Sequence, residues 1–281
     1  MRDPFKIESP TCLSFSGGRT SGYLLWRVLQ SNGGLPDCAT VCFANTGKED
    51  EATLRFVQRC ADEWNVPITW IEFEDNQDGF RVVDFDSASR NGEPFEAIIR
   101  KRNYLPNPVA RFCTVELKIQ PERYYLKKVL EWTDWDNMVG IRADEPKRVS
   151  KIRANPSGGH AGPERIMPLA EAGITKSDVG RFWSSNSFDL ELPNINGTTP
   201  NGNCDLCFLK CADRVLSLIR EKPSRATWWA KMEGSISNAK IQNGGRFRSD
   251  RPSYAEMQDF SHRQGSLGLE HDEPIACFCG D

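Results

Sequence analysis

Strand-like and helix-like patterns alternate over the first 150 residues, and this alternation limits the fold more than any other feature of the chain. Short apolar runs that stop at turn residues predict four strands, Thr11–Phe15, Ala39–Ala44, Ile68–Phe73 and Asn137–Ile141. Apolar residues at helical spacing predict helices between them, at Thr20–Gln30, Asp50–Trp64 and Pro121–Trp132. Strands that alternate with helices form βαβ units, so the sequence predicts an α/β fold with a parallel sheet covered by helices on both faces.

The pattern weakens after about residue 150, where loops rich in Gly, Pro and Asn separate shorter helical stretches. Helices are predicted at Thr175–Ser184 and Cys211–Ile219, and the polar stretch Asn238–Gly268 is predicted to be an irregular surface segment. The sequence therefore predicts two parts. Residues 1–150 form an α/β core, and residues 151–281 form a C-terminal extension that packs on it.

Composition excludes several classes of protein. The chain has 281 residues, of which 38% are hydrophobic and 27% charged, and its formal net charge is -3. These values are typical of a globular chain and exclude a disordered, collagen-like or coiled-coil chain. No apolar run reaches about 18 residues, and the N-terminal MRDPFKIESP lacks the apolar region of a signal peptide. We therefore expect a cytoplasmic protein without a membrane partner.

A serine- and glycine-rich turn joins the first predicted strand to the first predicted helix. It reads Ser14-Phe15-Ser16-Gly17-Gly18-Arg19-Thr20-Ser21. Such a turn directs main-chain N–H groups and the positive end of a helix toward an anion, and its hydroxyl groups add donors. Neither the Walker pattern nor the dinucleotide-binding pattern is present. The residues alone leave two interpretations open, a phosphate-binding loop or a glycine turn with a serine helix cap.

This turn resembles the pyrophosphate loop (PP-loop) of the adenine-nucleotide alpha-hydrolase superfamily, and within it the PAPS-reductase-like family. Four later stretches resemble further segments of that family in the same order: FANTGKED, RFCTVELKIQP, GIRADEPKR and MPLAEAGITKSDVGRFW. With the cysteine motif described below, the similar stretches extend over residues 11–211. The resemblance implies a Rossmann-like (HUP-type) sheet that binds an ATP-type nucleotide at the carboxyl ends of its strands.

The resemblance also implies roles for individual residues. The loop would hold the phosphates, and the turn after the second strand would lie near the adenosine. The predicted cofactor-binding residues are Ser14, Ser16, Gly17, Gly18, Arg19, Thr20, Ser21, Asn45, Thr46 and Gly47. The predicted catalytic residues are Ser16, Lys118, Arg142 and Arg148. The last three carry cations, which suit phosphate oxygens. Asp144 and Glu145 would hold Mg²⁺ through water, and solvated surface positions are the alternative for both.

Ten cysteines in a chain without an export signal indicate a reducing compartment rather than a disulfide framework. Those in the first 60 residues lie in apolar or helical patterns and are interpreted as small buried hydrophobic residues. Cys277 and Cys279 lie in the C-terminal ACFCGD. Only Cys279-Gly280 is similar to the mobile thiol tail of PAPS reductases, so incidental thiols are the alternative.

Cys204, Cys207 and Cys211 form a C-x-x-C-x-x-x-C motif, which is the metal-binding signal of this sequence. The resemblance adds Cys113 as a ligand, because cluster-bearing reductases have a cysteine pair at that point. Phe112 departs from the pair, and two arrangements stay open: Cys211 replaces the missing thiolate, or the cluster has three protein ligands and one open iron. The predicted cofactor is a [4Fe-4S] cluster, with zinc or free redox thiols left open.

The resemblance implies an ATP pyrophosphatase of the sulfurtransferase type. An acceptor oxygen would attack the alpha phosphorus of ATP, pyrophosphate would leave, and sulfur would then displace AMP. The resemblance extends to the subunit of DNA phosphorothioate modification (Dnd/Ssp-type) systems, which implies a cysteine desulfurase as sulfur donor and DNA or other modification subunits as partners. Two alternatives stay open, a PAPS or APS reductase that forms sulfite and a non-catalytic nucleotide-binding subunit.

Overall fold

A computed structural model describes residues 3–157, 163–236 and 245–263. Its strands are β1 (Thr11–Ser14), β2 (Ala39–Asn45), β3 (Ile68–Glu72), β4 (Arg81–Val83), β5 (Asp136–Val139) and β6 (Glu164–Ile166). Its α-helices are α1 (Arg19–Asn32), α2 (Glu51–Glu63), α3 (Glu93–Arg102), α4 (Phe112–Thr114), α5 (Gln120–Lys128), α6 (Pro146–Ala154), α7 (Pro168–Glu171), α8 (Lys176–Ser185), α9 (Ala212–Glu221), α10 (Ala226–Ser235) and α11 (Tyr254–Arg263). A π-helical turn, Val115–Ile119, joins α4 to α5, and a 3-10 turn, Pro223–Arg225, precedes α10.

The strands form one sheet in the order β4-β3-β2-β1-β5-β6. All neighbouring strands are parallel except β4, which runs antiparallel to β3. In the centre of the sheet, Leu13 is paired with Val41 on one side and with Met138 on the other. The predicted α/β fold with a parallel sheet is confirmed, and each of the four predicted strands overlaps an observed one.

Apolar side chains cover both faces of the sheet, as a parallel sheet requires. One face carries Leu13 and Phe43 and packs against α1 and α2. The opposite face carries Cys12 and Ile71 and packs against α5 through Leu126. Helices therefore lie on both faces, as the alternation of patterns predicted.

The C-terminal helices surround a second hydrophobic core. In it, α9, α10 and α11 pack together with α3 and the π-helical turn. The prediction that Asn238–Gly268 is irregular is wrong for the part that forms α11. Tyr254 and Met257 lie one turn apart on this helix and are fully buried beside Trp229, so a narrow apolar stripe in a polar stretch was enough to form a helix once it had a partner surface.

The sheet extends past the boundary predicted at residue 150, because β6 pairs with β5. The division into residues 1–150 and 151–281 stays a prediction. No helix in the described part of the chain combines the length and the apolar character needed to span a membrane.

The strand order creates a crevice at the carboxyl ends of β1 and β5. The chain runs outward from β1 through β2 to β3 and then returns to place β5 on the other side of β1. The connection after β1 leads to α1 on one face. The connection after β5 leads to α6 on the other, where Val149 and Ile152 pack near Val139. Open α/β sheets bind their ligands at such switch points.

Candidate functional site

The loop after β1 is held in shape by its own hydroxyl groups. Ser21 Oγ donates to Gly18 O at 2.9 Å and accepts from Gly18 N at 3.2 Å, and Ser16 Oγ donates to Ser21 Oγ at 3.1 Å. Gly17 has a φ of +76°, and a Cβ there would lie 2.6 Å from Thr53 Cγ2 on α2. Because the first N–H groups of a helix have no intrahelical acceptors, this loop is preorganised to receive an anion.

Arg19 lies in the first turn of α1, but its side chain reaches into the C-terminal extension. Nε and Nη2 donate to the Asp189 carboxylate at 2.7 and 2.9 Å, and Nη1 donates to Thr199 Oγ1 at 2.9 Å. Nη2 also donates to Leu190 O at 2.6 Å and to Leu192 O at 3.0 Å. All three guanidinium nitrogens are therefore engaged by protein groups. Nucleotide binding by Arg19, as the sequence predicted, would have to use its main-chain N–H.

Arg142 reaches the same loop from the connection after β5. Its Nη1 donates to Thr20 Oγ1 at 2.8 Å, across 122 positions of sequence. A Cβ added at Gly140 would lie 3.4 Å from both N and Cα of Ser21, so the two connections are in close contact. The fold thus brings together the predicted phosphate loop and one of the predicted catalytic cations.

The two carboxylates suggested for Mg²⁺ face cations and N–H groups instead. Asp144 Oδ1 accepts from Arg142 Nε at 3.0 Å, and its Oδ2 accepts from Lys176 N at 3.0 Å. Glu145 accepts from Arg142 N at 2.9 Å and forms an ion pair with Arg148. Arg148 therefore supports Glu145, which in turn holds Arg142. The described residues assemble no carboxylate set for Mg²⁺, because these oxygens are already engaged.

Asn45, Thr46 and Gly47 follow β2 at the same edge of the sheet. Asn45 is fully buried; its Nδ2 donates to Glu72 Oε1 at 2.6 Å and its Oδ1 accepts from Gly47 N at 3.1 Å. Thr46 donates through Oγ1 and through N to Glu49 Oε2, at 2.8 and 2.9 Å. These side chains fix the turn itself. A contact with adenosine stays a prediction that rests on the position of the turn.

Polar side chains connect the turn after β2 to the π-helical turn and to the cysteine motif. Lys118, in the π-helical turn, places Nζ 3.5 Å from Glu49 Oε1, and Thr46 Oγ1 lies 3.5 Å from Cys204 Sγ. Burial raises the pKa of the Cys204 thiol well above its usual range, and the charge of Glu49 raises it further. The predicted catalytic residue Lys118 is therefore located at the turn after β2, paired with Glu49.

The four cysteines predicted as metal ligands do not form one donor set. Cys204 and Cys207 share a turn in which Cys207 N donates to Cys204 O at 3.1 Å, and Cys113 packs against the same hydrophobic cluster. Cys211 is instead the N-cap residue of α9. Within residues 3–157, 163–236 and 245–263, no three His, Cys, Asp or Glu side chains are placed to hold a metal. The [4Fe-4S] cluster and its zinc alternative therefore stay predictions, which no metal-binding group among the described residues supports.

Other contacts give the loop of the cysteine motif its shape. Lys210 Nζ donates to three main-chain carbonyls of the loop, at 2.7, 2.8 and 2.9 Å. Asp205 accepts from Trp229 Nε1 at 2.9 Å, and its other oxygen lies 3.4 Å from Lys48 Nζ. The loop is thus organised around buried charges and hydrogen bonds.

Ser14, predicted to bind the cofactor, is engaged beneath the loop. Its hydroxyl lies 2.8 Å from Glu122 Oε1 and 2.8 Å from Asn137 Oδ1. Burial raises the pKa of Glu122, although hydrogen bonds from Cys12 and Ser14 oppose this effect. Ser14 therefore ties β1 to α5, and its hydroxyl is not directed to a phosphate.

A small cleft, here called the first cleft, opens at the phosphate loop. One side consists of Ser16–Gly18, with Thr53 of α2 beside it. The other side comes from the C-terminal extension, through Thr199, Gly202 and Asn203. The C-terminal extension thus completes the site that the α/β core begins.

Sequence reasoning missed three acidic residues that shape this region: Glu49, Glu122 and Asp189. Glu49 belongs to the stretch FANTGKED, which carried a signal for it. Asp189 and Glu122 had none, because their partners lie 170 and 108 positions away in sequence. The tail thiols Cys277 and Cys279 lie outside the described residues.

The chain is similar to the uncharacterized nin region protein ORF290 of Escherichia phage lambda. The two are 32% identical over 212 residues, which cover 72% of this chain and 67% of that protein. No protein-family model matches the chain.

Two solved structures show a distant likeness. The PAPS reductase from Candida auris, in its phosphate complex, has a TM-score of 0.42 and 12% identity, over 65% of this chain and 75% of that one. The U34-tRNA thiolase NcsA from Methanococcus maripaludis, with its [4Fe-4S] cluster, has a TM-score of 0.41 and 15% identity, over 99% and 82%. These TM-scores are too low for either likeness to bear on function.

Proposed function

We propose that this chain, which belongs to the family of the phage lambda nin region protein ORF290, binds ATP at the loop between β1 and α1 and cleaves it at the alpha phosphorus. One observation carries the proposal. At the switch point of the sheet, Arg142 Nη1 lies 2.8 Å from Thr20 Oγ1, so a guanidinium group and a helix N-terminus meet at the glycine-rich loop. The resemblance of SFSGGRTSGYLL to the PP-loop supports ATP as the ligand and pyrophosphate as the product.

Positioning and charge neutralisation would provide most of the catalysis. The N–H groups of the loop would hold the outer phosphates, and the Ser16 hydroxyl would donate to the same oxygens. Arg142 would neutralise the charge that develops on the departing pyrophosphate, because Asp144 and Glu145 keep its guanidinium in place. A Mg²⁺ ion that arrives with ATP would add charge neutralisation.

The finer form of the proposal is sulfur insertion into the adenylated acceptor. An acceptor oxygen would become bonded to the alpha phosphorus, and a sulfur nucleophile would then displace AMP. The resemblance to the PAPS-reductase-like family supports this step, with DNA as acceptor and a cysteine desulfurase as sulfur donor. The cysteine motif adds support through position alone, since Cys204 lies against the turn after β2.

The proposal is tested by measuring ATP affinity and pyrophosphate release with the full chain and with Arg142→Met. We expect pyrophosphate release to fall by about 100-fold, the loss typical of removing one group that stabilises charge in a transition state. Arg55→Met is the matched control, because Arg55 is an exposed surface arginine paired with Glu191. It should release pyrophosphate at the rate of the unaltered chain.

Three outcomes would contradict the proposal. If Arg142→Met released pyrophosphate at an unchanged rate, Arg142 would have no role in the reaction. Sulfite formation from PAPS without pyrophosphate release from ATP would make the chain a reductase. Tight ATP binding without cleavage, in the presence of candidate acceptors, would make it a nucleotide-dependent binding subunit.

A further inference from the structure

One row of polar side chains crosses three neighbouring strands at the carboxyl edge of β2 and β3. Asn45 is the last residue of β2, Glu72 is the last residue of β3, and Arg81 is the first residue of β4. Glu72 is paired in register with Asn45 on one side and with Arg81 on the other. Because residues in register across neighbouring strands face the same side of a sheet, their side chains can meet. The row ends at Asn45, directly before the turn where adenosine is expected.

The Glu72 carboxylate is fully buried and accepts hydrogen bonds from five donor atoms. Oε1 accepts from Asn45 Nδ2 and from Ser89 N, both at 2.6 Å. Oε2 accepts from Ser89 Oγ at 2.8 Å and from Arg81 Nε and Nη2 at 3.0 and 2.6 Å. A carboxylate offers about four lone-pair positions, so these donors use its full capacity. Glu72 therefore acts on protein groups and not directly on a ligand.

These contacts give the Asn45 amide a single orientation. Its Nδ2 donates to Glu72 Oε1 at 2.6 Å and to Ser89 O at 2.9 Å, and its Oδ1 accepts from Gly47 N at 3.1 Å. If the amide turned over, its oxygen would face a carboxylate and a carbonyl oxygen, and its NH₂ group would face the N–H of Gly47. Glu72 therefore determines that the oxygen of Asn45 is the atom that meets Gly47 N.

The hydrogen bond to Gly47 N fixes a turn that has little room to move. Gly47 has a φ of +75°, which a residue with a side chain rarely adopts. A Cβ at Gly47 would lie 3.0 Å from Gly92 N, at the start of α3. The turn is therefore held between the Asn45 amide and the main chain at Gly92, and its conformation depends on both.

Stability alone is a poor reason for this row. Burying a carboxylate has a large desolvation cost, and well-packed apolar residues are often as stabilising as a buried ion pair. A buried charge does, however, impose one geometry on the groups that bind it. The phosphate loop obtains its shape in another way, from the hydroxyl groups of Ser16 and Ser21. The two parts of the candidate site thus depend on different side chains.

We propose that Glu72 is a positioning residue for the nucleoside part of the bound nucleotide. It acts through Asn45, whose amide holds the turn after β2 in the conformation that receives adenosine. This inference rests on the proposed function for the identity of the ligand. A change at Glu72 should therefore weaken the part of the affinity that depends on the nucleoside and leave the part that depends on the phosphates.

The test is calorimetric titration of the full chain with two probes. One is α,β-methylene-ATP, which cannot be cleaved between those phosphorus atoms, and the other is inorganic tripolyphosphate, which has no nucleoside. In Glu72→Gln the new NH₂ group must face either Arg81 or the Asn45 NH₂ group, which are both donors. We expect the variant to bind the nucleotide analogue about tenfold more weakly, the effect of losing one hydrogen bond to a charged group. Its affinity for tripolyphosphate should not change.

A double variant tests whether Glu72 acts through Asn45. Asn45→Ala should also weaken binding of the nucleotide analogue and leave binding of tripolyphosphate unchanged, because Gly47 N loses its acceptor. Glu72→Gln combined with Asn45→Ala should then bind the analogue as Asn45→Ala alone does, since residues that act in one network are not additive. A loss equal to the sum of the two single losses would overturn the inference.

Arg81→Lys is a milder variant of the same row, and its side chain is 42% exposed. Lysine keeps the positive charge beside Glu72 but cannot form the two bonds of the guanidinium. We expect a smaller loss of affinity for the nucleotide analogue and an unchanged affinity for tripolyphosphate. If Glu72→Gln does not fold, Arg81→Lys provides the test, and an unchanged affinity for the analogue would overturn the inference.

Glu233→Gln is the matched control for the loss of a buried carboxylate. Glu233 lies on α10 and accepts from Phe247 N at 3.2 Å and from Tyr254 N at 2.8 Å, within the C-terminal core. This variant should be less stable in thermal unfolding, and its affinities for both probes should equal those of the unaltered chain.

Further results separate this inference from the proposed function. Unchanged binding of the nucleotide analogue by folded Glu72→Gln, or equal weakening of both probes, would overturn the inference and leave the proposed function intact. Equal affinity of the unaltered chain for the two probes would do the same, because adenosine would then contribute nothing. If the unaltered chain binds neither probe, the proposed function fails and the inference fails with it.

Discussion

The guanidinium of Arg19 and the carboxylate of Asp189 form two parallel hydrogen bonds, Nε to Oδ1 at 2.7 Å and Nη2 to Oδ2 at 2.9 Å. Arg19 lies in the first turn of the helix that starts at the phosphate loop. Asp189 lies in the C-terminal extension, which borders the first cleft. This single pair therefore connects the α/β core to the segment that completes the site.

Arg19→Met should lower the free energy of unfolding by about 2–3 kcal/mol, because Leu190 O and Leu192 O would lose a buried charged donor and Asp189 its partner. Arg19→Lys should also be destabilising, since an ammonium group cannot reproduce the two parallel bonds. Urea denaturation measures both effects. A stability equal to that of the unaltered chain in either variant would show that the pair does not hold the segment.

Gly17→Ala should be more destabilising than Gly33→Ala. Both glycines have left-handed φ values, +76° and +72°, but a Cβ at Gly17 would lie 2.6 Å from Thr53 Cγ2, whereas a Cβ at Gly33 meets nothing within 4 Å. Gly33→Ala should therefore lower the free energy of unfolding by about 1 kcal/mol, the cost of a left-handed backbone conformation in a residue with a Cβ. Gly17→Ala should lower it by the same amount and by about 1–3 kcal/mol more, because the methyl group overpacks the contact with α2. Urea denaturation of the two variants checks the difference. Equal losses would mean that α2 moves to accommodate the methyl group.

Glu122→Gln should change how stability depends on pH. Burial raises the pKa of Glu122 above its ordinary value of 4.5, so the fold favours the protonated form. The free energy of unfolding should therefore fall as pH rises from about 4.5 through the folded-state pKa, because the buried carboxyl must then ionise. The glutamine side chain stays neutral and keeps an oxygen that accepts from Ser14. The free energy of unfolding of Glu122→Gln should therefore not fall over this pH range. Denaturation between pH 4.5 and 8 compares them. If stability depended on pH in the same way in both proteins, Glu122 would not be the group responsible.

Asp205→Ala should destabilise the C-terminal core by about 3–5 kcal/mol. The substitution leaves the buried ammonium group of Lys48 without its partner and the indole N–H of Trp229 without its acceptor. Asp205→Asn should lose less, because its amide oxygen still accepts from Trp229. Asp86→Ala, at an exposed position, is the control and should be nearly neutral. Tryptophan fluorescence during urea denaturation reports the change. Equal losses in the alanine and asparagine variants would show that the ion pair with Lys48 is the dominant contact.

The strands and the helices of the α/β core were predictable because their signals are local. Apolar runs and helical spacing within a dozen residues predicted β1, β2, β3 and β5, with α1, α2 and α5 between them. The elements that the sequence did not predict are short or have only a narrow apolar face. The strand β4 and the helices α3 and α10 were not predicted, and α11 was predicted as irregular. The three helices depend on a partner surface formed by distant parts of the chain.

The candidate site divides in the same way. The position of the loop Ser16–Ser21 after β1 and that of Arg142 after β5 followed from motif order, and the parallel sheet necessarily brings such connections to one edge. The partners of the individual side chains did not follow. Arg19 is paired with Asp189, Ser14 is hydrogen-bonded to Glu122, and Lys118 is paired with Glu49.

The sequence by itself determined the alternation of the main strands and helices of the α/β core, the phosphate-loop motif and the edge of the sheet where it would lie, because backbone preferences and hydrophobic periodicity act over short distances. Only the tertiary structure decided which charges are paired within the protein and which face a cleft. An ion pair depends on distances between residues that can be 170 positions apart, and no local pattern encodes them. For that reason Arg19 and Lys176, which both lie in the first turn of a helix, have different environments: the Arg19 guanidinium is paired with Asp189, and the Lys176 ammonium donates to the neutral Thr198 hydroxyl.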